Sequence, residues 1–124
     1  MRTSQDGIDL IIHFEGCQLP SLAQTEAWLR DDLRPVEEMV DRVVQVPLRQ
    51  NEFDALVAFA YDLGTDTLRR ADLLAFLNAQ QHDRIADTFL EYDGLRERRA
   101  AERALFIAPP VRGIWQKFLA WLRE

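Results

Sequence analysis

The chain has 124 residues, enough for one domain that hides roughly two-thirds of its unfolded surface on folding. Its 48% apolar content, with five glycines and five prolines, argues against a disordered tract or a solenoid of repeats. Fifteen basic against 21 acidic residues leave a net charge of −6, which disfavours tight non-specific attachment to nucleic acid or to anionic cell wall.

Cys17 is alone, so no internal disulfide forms, and with His13 and His82 as the only histidines no metal-ligand set is visible. Neither a metal nor a cofactor is expected, and both histidines are expected at the surface. The stretch from Met1 through Gly7 into an apolar run broken by Asp9 and His13 is too brief and too polar for a signal segment or a membrane span. The expected location is the cytoplasm.

Ser4 is a suitable N-cap for a first helix carrying Ile8, Ile11, Ile12 and Phe14, and Gly16 is its natural stop, which puts Glu15 at the helix end. Ser21 and Gln24 form a capping box for a second helix with Leu22, Trp28, Leu29 and Leu33, ending at Pro35, and residues 36–46 form another. After Pro47, the run from Phe53 to Leu63 leaves almost no polar face and belongs at the centre. Shorter amphipathic helices are predicted over 68–78 and 83–92, then a charged one over 95–106 whose alternating charges suit a solvated or ion-paired face. No alternating strand pattern occurs, so the fold class is all-α. Past Pro109-Pro110, residues Ile114, Trp115, Phe118, Leu119, Trp121 and Leu122 fall on one arc of a helical wheel. That segment either packs back on the domain or presents a partner-binding face.

Three stretches, in this order, resemble the phage lysozyme (endolysin) family: Gly7-Ile8-Asp9-Leu10-Ile11 through Phe14-Glu15-Gly16; Val46-Pro47-Leu48 through Gln50-Asn51-Glu52-Phe53-Asp54-Ala55-Leu56-Val57; and Arg98-Arg99-Ala100-Ala101-Glu102-Arg103-Ala104-Leu105-Phe106. Phe59-Ala60-Tyr61-Asp62-Leu63-Gly64 and the Leu73-Leu74 to Leu77-Asn78-Ala79 segment join them. The resemblance covers about residues 3 to 107 and leaves the last segment without a counterpart. It implies a single domain over 1–124, with a lysozyme-like helical core over 1–107 and an added amphipathic helix over 108–124.

The family cleaves the sugar backbone of peptidoglycan with two carboxyl groups that flank the glycosidic bond. By resemblance the general acid is Glu15, of Phe14-Glu15-Gly16, with a family Asp expected nine residues on and a Thr six beyond that. Those places hold Gln24 and Arg30, neither of which supplies the missing group. Leu19-Pro20-Ser21 leads straight into the second helix where the family's small β-lobe should follow, and the Gly-rich loop before the Arg98-Arg99 helix is cut to Asp93-Gly94-Leu95-Arg96-Glu97.

Glu15 therefore reads as a vestigial acid, held by an arginine of the Arg98-Arg99 helix. The leading expectation is a catalytically inactive lysozyme-like protein, of phage or prophage origin, that binds and inhibits or regulates a protein in the host cytoplasm. Its candidate binding residues are Trp28, Trp115, Phe118, Leu119, Trp121 and Leu122, and a homodimer would also cover surface bared by the lost lobe. The alternative is a minimal muramidase acting on peptidoglycan through Glu15 and a recruited second carboxylate. A membrane-surface role for the Trp-rich segment is a weaker third reading, because Arg112, Lys117 and Arg123 make little of a basic face.

Overall fold

The computed structural model describes residues 1–16, 22–70 and 72–109. Among them it has seven α-helices and no strand: α1 (Gln5–Glu15), α2 (Leu22–Val43), α3 (Gln50–Leu63), α4 (Thr65–Arg70), α5 (Asp72–Asn78), α6 (His82–Thr88) and α7 (Arg96–Ile107), with a 3-10 turn over Phe89–Glu91. The all-α expectation holds. Among the described residues no helix is long and apolar enough to cross a membrane. Cys17, the Ser21 end of the predicted capping box and the whole arc from Trp115 to Leu122 lie outside the described residues.

The run from Phe53 to Ala60 in α3 is buried on every side, because α1, α2, α4 and α7 all pack against this helix. Phe53, Leu56, Val57 and Phe59 meet Ile8, Leu10 and Ile11 from α1, Leu29, Leu33 and Val40 from α2, and Ala101, Leu105 and Phe106 from α7 in one core. Each large side chain so buried contributes about 1.5–3 kcal/mol, which makes α3 the element that the others are placed against.

α1 crosses α3 at Gly7, where a Cβ would come within 2.6 Å of Thr3 Cγ2 and 2.9 Å of Asp54 Cβ. The absent side chain permits the approach. Ser4 precedes α1 with extended backbone, as an N-cap does, but its hydroxyl makes no cap bond to its own helix. It donates instead to the buried Asp54 of α3, as does the Ser4 amide at 3.0 Å, while Gln50 Nε2 donates to the same carboxylate at 2.8 Å. Thr3 donates from its amide and its hydroxyl to Glu37 of α2. Two buried acids from other helices thus tie down the start of α1.

The predicted break at Pro35 does not occur: α2 runs through it as one helix of 22 residues. Pro35 removes one backbone donor, but it is exposed, so water can serve the freed carbonyl. The buried stripe Leu29, Leu33, Val36, Val40 continues across it at helical spacing and outweighs the lost bond. Of the predicted helix over 68–78, the described residues are helical on both sides of position 71, in α4 and α5.

Candidate functional site

Glu15 occupies the last position of α1, and Gly16 ends the helix with φ of 80°, a left-handed conformation that glycine adopts without strain. Its Oε1 accepts from Nη1 of Arg98 at 2.7 Å, so the arginine expected from the resemblance is Arg98, on the first turn of α7. The pair is asymmetric: the Glu15 side chain is 43% exposed and that of Arg98 only 3%.

Arg98 is held by three further oxygens. Its Nη2 donates to the Ala58 carbonyl at 3.0 Å and its Nε to Glu102 Oε2 at 3.2 Å, and Asp62 Oδ2 lies 3.7 Å from Nε. Beside it, buried Arg99 donates from Nη2 to Asp62 Oδ2 at 2.6 Å and to Glu102 Oε2 at 3.2 Å, its Nε lies 3.1 Å from Glu102 Oε1 as an ion pair, and its guanidinium lies over the Phe59 ring. Glu102 is fully buried, and burial pushes its carboxyl up to about 7 against the opposing pull of Arg99 and Arg98. The charge pattern of α7, expected as a solvated or ion-paired face, is in this part ion-paired and buried. Asp62 and Glu102 went unnoticed in the sequence as the anions of this network; the i, i+3 and i, i+4 spacing from Arg99 and Arg98 to Glu102 was the available signal.

A cleft of about 450 Å3 opens beside Glu15, lined by Ile11, Ile12, Thr25, Trp28, Leu29 and Tyr61. Trp28, given from the sequence as an apolar position of the second helix and as a candidate binding residue, is 57% exposed there. On α2 the cleft-facing positions are 25, 28 and 29, which excludes both residues counted from the family pattern. Gln24 is exposed and absent from the lining, and Arg30 turns to the start of α1, donating to the Thr3 carbonyl at 3.1 Å and to Gln5 at 3.3 Å. Glu15 is the only carboxylate that lines the cleft among the described residues. One turn beyond Trp28, however, Asp32 accepts from the Tyr61 hydroxyl at 2.6 Å. Burial first, then this bond and the nearby Asp32 and Glu15 charges, push the Tyr61 hydroxyl well up from its ordinary value, so it stays a donor. Asp32 has the i, i+4 spacing from Trp28 that puts it on the cleft side of the helix, the one signal the sequence holds for it.

The predicted surface positions of the histidines hold for His82, which is exposed, whereas His13 is half-buried and stacks edge-on against Phe14. No group of three or more metal-ligating side chains occurs among the described residues.

The model of the phage lysozyme family matches residues 13–102, a span that takes in Glu15, the cleft and Arg98. The chain belongs to the phage lysozyme family. Among its family relatives, the endolysin of Bacillus phage B103 is 34% identical over 86% of this chain, and that of Salmonella phage P22 is 36% identical over 64% of it. The chain spans 54% and 60% of those two relatives. The first alignment runs over 143 positions, more than the 124 residues available, so that relative carries residues inside the aligned span that this lysozyme-family chain lacks. Among solved structures, the muramidase domain of SpmX from Asticaccaulis excentricus superposes with a TM-score of 0.77 at 28% identity, covering 87% of this chain and 99% of that one. A P22 lysozyme mutant superposes with a TM-score of 0.83 at 24% identity over 87% of this chain and 99% of its own, a likeness of fold.

Proposed function

We propose that this lysozyme-family chain binds a protein partner in the cytoplasm of a host cell and does not cleave peptidoglycan. The observation that carries the reading is the make-up of the cleft, where Glu15 stands among aliphatic and aromatic side chains with no second carboxylate in the lining among the described residues. Glycoside hydrolysis needs two carboxyl groups on opposite sides of the bond, and one carboxylate leaves the water or the charge unattended. Residues 17–21 contribute no acid to make good the lack. Glu15 has a sufficient structural reason to be there, since it neutralises a buried guanidinium.

The same cleft is suited to recognition. An exposed Trp over an apolar floor, with a carboxylate at the edge, is the kind of anchor on which binding energy concentrates. Trp28 supplies one half of the proposed binding surface, and Trp115, Phe118, Leu119, Trp121 and Leu122 supply the other. Inhibition or regulation of the partner is the proposed outcome, and a phage or prophage origin accords with the endolysin relatives.

One observation favours a second reading, a minimal muramidase: Asp32, positioned by Tyr61 next to the Glu15 cleft, is a carboxylate available for recruitment. Incubation with purified peptidoglycan separates the two. The binding reading expects no release of muropeptides from a folded sample, whereas release that disappears in both Glu15→Gln and Asp32→Asn overturns it.

A further inference from the structure

Three kinds of surface meet in the cleft beside Glu15. Ile11, Ile12 and Leu29 line it with aliphatic carbon, Trp28 and Tyr61 with aromatic rings, and Glu15 with a carboxylate, while Asp32 adjoins it through the Tyr61 hydroxyl. We propose that this cleft takes an arginine side chain of the protein partner, its aliphatic stem along Ile12 and Leu29 and its guanidinium stacked on the exposed Trp28 indole, facing the Glu15 and Asp32 carboxylates. That names the chemistry of the partner proposed above, and so rests on the reading of the cleft as a recognition surface.

Charge selects the occupant. No arginine, lysine or histidine lines the cleft among the described residues, and residues 17–21 carry no charge. The cations of α2 nearest to Trp28 are engaged elsewhere, Arg30 with the Thr3 carbonyl and Arg34 with Asp31. Behind Glu15, the guanidinium charges of Arg98 and Arg99 are already matched by Glu15, Asp62 and Glu102, so none is left over to repel a cation. The Tyr61 hydroxyl registers the result: after burial, the Asp32 and Glu15 carboxylates push it up against a smaller opposing pull from Arg98. An acidic or phosphorylated segment would be repelled here. A guanidinium is suited because it is planar and weakly hydrated, stacks on an indole and offers N–H groups to carboxylates, while its methylene stem buries against aliphatic carbon.

A second groove, of about 710 Å3, lies between Pro47, Leu48, His82, Arg103 and Ile107. It lacks this selectivity. Its walls hold both signs, with Arg103 paired to Asp87 and His82 3.6 Å from Glu52, so a charged ligand of either sign would have to break a contact already made.

Titration of the isotope-labelled full chain with a blocked alanine–arginine–alanine peptide, read by backbone amide shifts, tests the site. Saturable shifts are expected in residues 11–16 and 25–32. The same peptide with citrulline, the neutral isostere, should bind about fivefold or more weaker, and Trp28→Ala should weaken the arginine peptide by a similar factor. Asp32→Asn should weaken it by about threefold or more, whereas Asp83→Asn, which removes the same charge at an exposed position in the other groove, should leave it unchanged. Equal binding of the two peptides, shifts confined to other residues, or equal losses in Asp32→Asn and Asp83→Asn overturn the arginine site. Displacement of the arginine peptide by soluble muropeptides at matched concentration assigns the cleft to cell wall and overturns it as well. Muropeptide release from insoluble peptidoglycan by the same sample separates the site from the reading beneath it. Arginine-selective binding together with release sinks the binding-only reading and leaves the arginine site standing, and equal binding of the two peptides without release does the reverse.

Discussion

Nη1 of Arg98 and Oε1 of Glu15 are 2.7 Å apart across 83 residues of sequence, and this one bond joins the end of α1 to the first turn of α7 at the edge of the cleft. The two partners depend on it unequally. Glu15 reaches solvent, whereas Arg98 is buried and also bonds to Glu102 and the Ala58 carbonyl. Arg98→Ala is expected to cost about 3–5 kcal/mol, since it leaves a buried backbone acceptor unpaired and Glu102 with Arg99 alone. Glu15→Gln, at a half-exposed position, should cost under about 1 kcal/mol. Urea midpoints of the two variants check this, and equal losses would contradict the asymmetry.

The raised carboxyl of Glu102 gives the fold a pH dependence of definite sign. Its ordinary value is 4.5, and in the folded chain it titrates at about 7, so between these values the folded state holds a proton that the unfolded state has released. Stability from this group is full below pH 4.5, falls as the pH rises toward about 7, and is flat above. Asp54, raised by burial, acts with the same sign at the low end. Urea unfolding of wild type across this range should show the fall, and Glu102→Gln should reduce it; a wild-type stability that rises over the same interval would contradict the assignment.

Gly7→Ala tests the crossing of α1 and α3. In a free helix alanine is the better residue, yet the added methyl would meet Thr3 and Asp54 below 3.0 Å and push α1 off its seat. A net loss of about 1–3 kcal/mol is expected from the overpacking. A stabilised variant by thermal melting would show that the two helices have room to part.

Most helix positions and the central place of α3 were legible in the sequence because they rest on local or one-dimensional signals, the all-apolar run from Phe53 to Ala60 and the Gly16 stop, whereas the Glu15–arginine pairing was legible only through the family resemblance that Phe14-Glu15-Gly16 carries. Pro35 misled because a breaker signal is local, whereas the buried stripe that carries α2 through it is a property of packing. Asp62 and Glu102 were hidden for a similar reason: whether a charged residue faces solvent or a buried arginine depends on which helix lies opposite. The link of Asp32 to the cleft was not legible because it runs through Tyr61, on another helix.

Trp28→Ala is expected to leave the unfolding midpoint within about 0.5 kcal/mol of wild type, since the side chain is more exposed than buried. If Trp28 anchors the partner, the same variant loses binding by a factor that corresponds to about 2 kcal/mol or more, the range of an interface hot spot. A Trp28→Ala protein that unfolds markedly more easily would place Trp28 in the core rather than at a recognition surface.

The central claim is that this lysozyme-family fold recognises without cutting, and the most direct measurement is muropeptide release from purified peptidoglycan, with a full-length family lysozyme as positive control and Glu15→Gln as negative control. The account predicts that the wild-type chain, folded and helical, releases no more than Glu15→Gln. Release by wild type that Glu15→Gln abolishes would contradict it and make the cleft beside Glu15 an active site.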